Sequence, residues 1–494
     1  MIKVKYLDKE QRNQVGFTYI MDKLEVMTAY GLEEKKDIMP FRADHRERLI
    51  KELNNIEVMI ESMKENKGIY GDIERILCKL KDIKQSVKRC KRLEVLDEVE
   101  LYEIKYFSLL LNELLSTYES LNIHIDNIRL YSLEEVFSIL DPEGKKIPTF
   151  YIYDNYSEKL QNIREEKTKI EKSIIIEEDA EAVIMLKEER LDIVILEEEE
   201  ELRIRTELTK KINKYVHILE DDIESIGKLD LLMAKCKLAM RYNAVKPEIT
   251  KHMDIVLEEA INPEIEEILQ KKGKDFTPVS ITLTSGTTVI TGANMGGKSV
   301  TLKTIVLNLL LAQMGFFVFS KSAKLPILEF VYFVSDDMQS VTKGLSTFGA
   351  EIIKLKEVIE CIKDETGFVA LDEFARGTNP KEGLYLVKSL CKYLASAQSI
   401  SLVSTHYDGV VADNMVHYQV KGLKNVDFKA LKYKIDLNKK HSVEIIQENM
   451  DYRLERVSKE SSVPKDALNI SMLLGLDEEL LSIAKGYYKE NELN

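Results

Sequence analysis

Residues 291–303 read T-G-A-N-M-G-G-K-S-V-T-L-K. The stretch contains G-x-x-x-x-G-K-S, from Gly292 to Ser299. Gly292, Gly296 and Gly297 let the backbone curl so that its N–H groups point inward at an anion. Lys298 can reach the β- and γ-phosphates of a nucleotide, and Ser299 can ligate Mg²⁺. The apolar segment Gly286–Ile290 predicts a strand before the motif. The Leu-rich segment after it predicts a helix, whose positive dipole end would face the phosphate. The pattern predicts ATP binding; the alternative is a structural glycine turn.

Two further strand ends carry chemistry. Phe368-Val369-Ala370-Leu371 is a short apolar run that ends in Asp372-Glu373. Asp372 is expected to hold the metal, through water, and Glu373 to orient or deprotonate the attacking water. The alternative is a charged strand end facing solvent. Ile400–Thr405 predicts a third strand and is followed by His406. Ligands of parallel sheets bind at the carboxyl edge of the strands, so His406 is expected to sense the γ-phosphate.

These groups need a scaffold. Strands and helices alternate from 280 to 420, which implies a mostly parallel sheet with helices on its faces. The ATPase region is read as 255–440, an α/β domain of P-loop type. A helical tail follows over 441–494, with Pro464 at a helix start and Gly475 as a break or cap. Residues 1–156 read as a helical N-terminal domain. Within it, Ile73, Ile76, Leu77, Leu80, Ile83 and Val87 fall at helical spacing. The other face is basic: Lys81, Lys84, Lys88, Arg89, Lys91 and Arg92. It is either a phosphate contact or a solvated helix face. Asp141-Pro142-Glu143-Gly144 is a turn, and Ile147–Tyr153 a short strand or an extended link. Residues 157–226 predict a long charged helical hairpin with an acidic tip at about 174–204. Twelve acids oppose three bases between Ser173 and Ile204, which makes that tip a poor surface for DNA. Residues 227–254 complete a lever end and connector.

Composition narrows the classes. The chain has 494 residues, 44% of them apolar, enough for two or three domains with cores. A net charge of −14 opposes non-specific DNA binding, which depends on Lys and Arg neutralising phosphate. Five cysteines, an odd number without metal-ligand spacing, read as reduced and cytoplasmic. Met1–Arg12 has no signal-peptide core. The apolar stretch Ile305–Phe319 is too short for a membrane span, and Asn308, Gln313 and Gly315 interrupt it.

The motifs together resemble the MutS family, the ABC-type ATPases associated with DNA mismatch repair. Ile290–Ser299 is similar to its phosphate loop, down to Asn294-Met295. Gly344-Leu345-Ser346-Thr347-Phe348, with Glu351 following, resembles its signature segment. Leu371–Thr378 resembles its acidic strand and loop, and Ser404-Thr405-His406 its histidine switch. Leu229-Asp230-Leu231-Leu232, then Val245-Lys246-Pro247, resemble the end of its lever. Asn262-Pro263 and Phe276-Thr277-Pro278 fall where the family enters its ATPase domain; Asn262 stands where many members have His. Ala467–Ile470 and Leu474–Leu476 resemble its helical dimerisation segment.

The resemblance implies ATP and Mg²⁺ as cofactors. The nucleotide would be held by Gly292, Ala293, Asn294, Met295, Gly296, Gly297, Lys298, Ser299 and Val300. Phe276 is a candidate for stacking on adenine, or else a core phenylalanine. Two ATPase domains would face each other, in a homodimer or a heterodimer with a paralogue. Ser346 would then reach the partner's γ-phosphate. Departures are equally informative. No mismatch-binding domain with a Phe-x-Glu wedge precedes the lever-like helices. The interval where a DNA clamp belongs is short and acidic. Val300–Thr304 and Asn379–Gly383 resemble the branch that lacks mismatch domains and acts against recombination; the small nuclease domain usual at its end is not found. The expected client is structured or branched DNA rather than a single mismatch. The alternative is a protein client, with the chain as an ATP-dependent remodelling or reactivating factor for a complex such as a cobalamin-dependent amino-acid mutase. No membrane partner is expected.

Overall fold

In a computed structural model, the described residues are 5–146, 149–292, 296–335, 347–423, 426, 431–433, 435, 442–457 and 466–491. The helices up to the connector are α1 (Lys9–Gln14), α2 (Phe17–Lys23), α3 (Ala29–Lys36), α4 (Arg46–Glu65), α5 (Lys67–Leu77), α6 (Lys84–Lys91), α7 (Glu98–Glu119), α8 (Glu134–Leu140), α9 (Glu158–Ile176), α10 (Ala180–Asn213) and α11 (Val216–Arg241). Strands β1 (Glu248–Thr250) and β2 (Asp254–Ala260) follow, then α12 (Pro263–Lys271), β3 (Val279–Thr284), β4 (Gly286–Thr291) and α13 (Lys298–Gln313). After these come β5 (Ser322–Pro326), β6 (Val331–Ser335), α14 (Thr347–Asp364), β7 (Phe368–Asp372), α15 (Pro380–Leu394), β8 (Ile400–Ser404), β9 (Val416–Gly422) and β10 (Asp451–Arg456).

The chain divides into two units. One comprises residues 1–24, 39–54 and 237–494; the other comprises 25–38 and 55–236. The first unit holds a six-stranded sheet in the order β10-β9-β4-β8-β7-β6. All neighbours are parallel except β10 on β9. Every residue of β4, β6, β7 and β8 is buried, as strands covered on both faces must be. A four-stranded sheet, β1-β5-β2-β3, accompanies it.

Helix α13 is buried along most of its length. Its two polar interruptions are satisfied there, because an unpaired buried amide would be costly. Asn308 donates to Ile261 O and accepts from Phe319 N, at 3.1 and 2.7 Å. Gln313 donates to Leu328 O and accepts from Leu328 N, at 2.9 and 3.2 Å. Asn262 caps α12 through Ile265 N and donates to Val15 O, a structural use for that position. No helix among the described residues is long and apolar enough to cross a membrane. All five cysteines are free thiols.

Residues 5–14 differ from the sequence reading, which puts them in the helical N-terminal domain. Residues 5–7 run along the β6 edge of the six-stranded sheet, and Gln11 of α1 reaches the same edge. Val331 N donates to Lys5 O at 2.9 Å, and Tyr6 pairs in parallel with Val331. Tyr6 OH reaches Leu328 O at 2.8 Å, and the Gln11 amide donates to Phe333 O. A single bridging residue has no periodicity to read.

The second unit is helical. The helical spacing read from Ile73 to Val87, within Asp72–Leu93, is interrupted between α5 and α6. Tyr30 explains the break: its hydroxyl donates to Lys81 O and accepts from Ile83 N, at 2.9 and 3.0 Å. The basic face is largely paired. Lys84 meets Glu33, Arg89 meets Glu100 at 2.7 Å, Lys91 meets Glu220 at 2.8 Å, and Arg92 lies 3.7 Å from Glu94. Phosphate would have to displace these carboxylates. Deeper in the unit, Lys105 Nζ is wholly buried and donates to Asp141, Tyr153 OH and Thr149 O, at 2.9, 2.9 and 3.1 Å.

Helices α9 and α10 form a hairpin joined by Glu177–Asp179, with Ile163, Ile170 and Ile193 in its seam. The run Glu197–Glu201 lies in the shaft of the hairpin rather than at its tip. Glu197 pairs with Arg164 at 2.9 Å and with Lys167. Glu201 also pairs with Arg164, at 2.7 Å. Glu200 is held by Arg203 at 2.6 Å and by Ser157 at 2.7 Å. The acids therefore zip two helices together, because opposite charges at a half-buried seam stabilise each other more than exposed ones do.

Asp222 sets a pH dependence. It is fully buried, accepts from Tyr131 N at 2.7 Å, and leaves Oδ2 without a hydrogen bond. Burial pushes its pKa up to about 7 against the pull of that N–H. The folded state then binds the proton more tightly than the unfolded one. Its stabilising effect is complete below the ordinary carboxylate pKa and is lost as pH rises from there to about 7, on the order of 4 kcal/mol. Asp222→Asn should flatten this part of the stability profile and raise stability at pH 8. Urea unfolding at pH 5 and pH 8 checks it; an unchanged pH difference would count against the assignment.

Candidate active site

The site lies at the carboxyl edge of β4, β8 and β7, which are neighbours in that order. Parallel strands present their ends, and the loops after them, on one edge. Chain-distant residues thereby converge.

After β4 the backbone turns through Gly292, with φ of +142°, and Gly297, with φ of +82°. A Cβ on Gly292 would stand 3.0 Å from Val420 Cβ, and one on Gly297 3.1 Å from the Tyr452 ring. Both positions need glycine for conformation and for space. Gly297 also begins α13 without a side chain to cap it, so its first-turn N–H groups suit an anion. His417 on β9 steadies the end of β4, with Nε2 2.8 Å from Thr291 Oγ1. Ala293, Asn294, Met295 and Ser346 lie outside the described residues.

Lys298 is buried at the start of α13. Its Nζ donates to Gly292 O at 2.9 Å and stands 3.3 Å from Glu373 Oε1. Ser299 and Val300 follow, half-buried in the same first turn. Phe276 is half-buried in the link between α12 and β3.

Asp372 ends β7 directly beside Ser404, the end of β8. Ser404 Oγ donates to Asp372 Oδ1 at 2.6 Å and accepts from Glu373 N at 3.2 Å. One serine thus orders both acids. Glu373 is a non-glycine residue at φ of +49°, and Ala375 follows at +63°. Left-handed backbone costs on the order of 1 kcal/mol per residue, and here neighbours enforce it. Glu351 on α14 accepts from Ala375 N at 2.9 Å. Arg376 Nη1 lies 3.0 Å from Glu373 Oε2.

His406 Nδ1 stands 3.9 Å from Glu373 Oε2. Both atoms are buried, and neither has a hydrogen bond. Burial pushes the His406 pKa below the ordinary histidine value; Lys298 and Arg376 add to this, and Glu373 opposes it. The imidazole is therefore neutral near pH 7.

Mg²⁺ is a hard cation that takes few protein oxygens. Ser299 and Asp372 supply a hydroxyl and a carboxylate. Sequence reasoning gave no role to Ser404, Tyr452 or His417. Ser404 ends its strand in apolar surroundings just as Asp372 does, and that shared position is its signal.

A model of MutS domain V matches residues 288–473, a span that takes in the phosphate-loop motif, the acidic strand and the histidine. Over these residues the chain is similar to the MutS family. Among its relatives are proteins named endonuclease MutS2. That of Acetivibrio thermocellus is 33% identical over 233 residues, 45% of this chain and 27% of the relative. That of Caldicellulosiruptor bescii is 32% identical over 310 residues, 60% of this chain and 35% of the relative. That of Leuconostoc mesenteroides is 30% identical over 230 residues, 46% of this chain and 28% of the relative. The chain spans about a third of the length of the curated relatives it matches.

Proposed function

We propose that this chain is a MutS-type ATPase that couples Mg²⁺-dependent ATP hydrolysis to movement of its helical unit on structured or branched DNA. The carrying observation is the convergence of Lys298, Asp372, Glu373 and His406 at one sheet edge, with Glu373 between Lys298, Arg376 and His406.

Lys298 would exchange its bond to Gly292 O for phosphate oxygens. The first-turn N–H groups of α13 would hold the same anion. Ser299 and Asp372 would hold Mg²⁺, which when bound neutralises charge on the phosphate oxygens. Glu373, helped by neutral His406, would take the proton from the attacking water. Ser404 and Glu351 would keep the two acids in register. Ser346 of a second copy, or of a paralogue, would close the site. ATP drives movement only so far as it binds the closed form more tightly than the open one.

The test is DNA binding by the Glu373→Gln protein with Mg·ATP at low salt, read by fluorescence anisotropy. Branched probes should bind more tightly than plain or mismatched duplex, with affinity falling as salt rises. Failure of every probe to bind, with the closed dimer verified by sedimentation, would overturn the DNA part. A protein client is the second reading. It is favoured by the carboxylates that occupy the basic face around α6.

A further inference from the structure

Ile184, Leu191, Ile195 and Leu202 on α10 are spaced by seven, four and seven residues. At 3.6 residues per turn they fall on one line along the helix. That line faces away from the α9 seam, which takes Ile193 and Leu186 instead. The four are 58%, 60%, 48% and 49% exposed. Single exposed leucines are ordinary; a continuous stripe about 27 Å long is not. Ile175, Ile176 and Met185 add more exposed apolar surface near the hairpin end.

The rim of the stripe is mostly acidic, with the exposed Lys187 on one side between Ile184 and Leu191. Glu188, Asp192, Glu198 and Glu199 flank it and are exposed. None of the four is in an ion pair among the described residues, whereas Glu197, Glu200 and Glu201 are held by the shaft cations. From Ile174 to Asp192 there are seven acids and two bases. Charge decides among occupants. Phosphate backbones and anionic lipid surfaces would be repelled. A second copy of α10 would set mostly acidic rims against each other, with only Lys187 to offset them. A helix with an apolar stripe and basic rims would satisfy both features.

We propose that the outward face of α10 docks a partner protein through an amphipathic helix with Lys or Arg flanking its apolar stripe. The inference does not depend on the ATPase reading.

The probe is a fluorescein-labelled three-heptad peptide with Leu at a and d and Lys at e and g. A matched peptide carries Glu at e and g. The full chain should bind the Lys peptide, more weakly as salt rises, and the Glu peptide at least ~10-fold more weakly. Leu191→Ser with Ile195→Ser should weaken the Lys peptide at least ~10-fold. Glu188→Lys with Glu198→Lys leaves the stripe intact and should invert the peptide preference, which guards against mere misfolding. Equal binding of the two peptides, or an unchanged affinity of the serine variant, would overturn the proposal. So would self-association in sedimentation that the serine variant abolishes, which would assign the face to a second copy, or binding of duplex DNA that the same variant abolishes. Lys298→Ala should bind the Lys peptide like the parent protein, so failure of the ATPase reading would leave this result standing.

Discussion

Lys298→Ala should lose ATP binding by at least ~10²-fold, measured by calorimetry or by displacement of a fluorescent nucleotide. Truncating one member of a buried, hydrogen-bonded charge pair costs about 2–5 kcal/mol, and ATP would leave its phosphate charge unpaired there. Lys298 is 4% exposed, and its ammonium is confined between Gly292 O and Glu373. A purely structural lysine would give a different result. The variant would then lose thermal stability through the orphaned Glu373 yet keep nucleotide affinity once folded. Retained tight binding by a folded variant would remove the phosphate-loop assignment.

Glu373→Gln should separate binding from chemistry. The amide keeps the size of the carboxylate but cannot take a proton. ATP should bind with an affinity near that of the parent, while phosphate release slows by at least ~10²-fold, the scale of a general base. The geometry gives a reason to expect a clean separation. Glu373 N is fixed by Ser404, and Ala375 N by Glu351, so the backbone should hold its left-handed turn with glutamine in place. Turnover near the parent rate would sink the role of Glu373 as base.

The strand ends at Thr291, Asp372 and Ser404 are legible because each is local: an apolar run stops and polar residues follow. The contacts that order them are not. Ser404 meets Asp372 only because β7 and β8 are in register. Tyr452 reaches Gly297 from a strand that joins the sheet in the opposite direction. Tyr30, far along the chain, interrupts the helical spacing read from Ile73 to Val87, and no pattern within that stretch reports it. The acidic run at Glu197–Glu201 was expected at a tip. Arg164 and Lys167 draw it into the shaft, a pairing that depends on where the hairpin turns.

The edge contact made by residues 5–14 bears on how the chain acquires its structure. Tyr6 bonds to Leu328, 322 residues later. During synthesis, the first segment of the ATPase unit must wait for β6, the spatial edge of its sheet. The helical unit draws most of its chain from the unbroken stretch 55–236 and can complete earlier. Contacts of such separation fold slowly and leave strand edges open meanwhile. Until residues 5–14 dock, the outer edge of β6 offers unpaired backbone to any strand nearby. A fragment cut at residue 237 to isolate the ATPase unit would keep that edge open permanently and should aggregate, so the two ends of the chain have to be produced together.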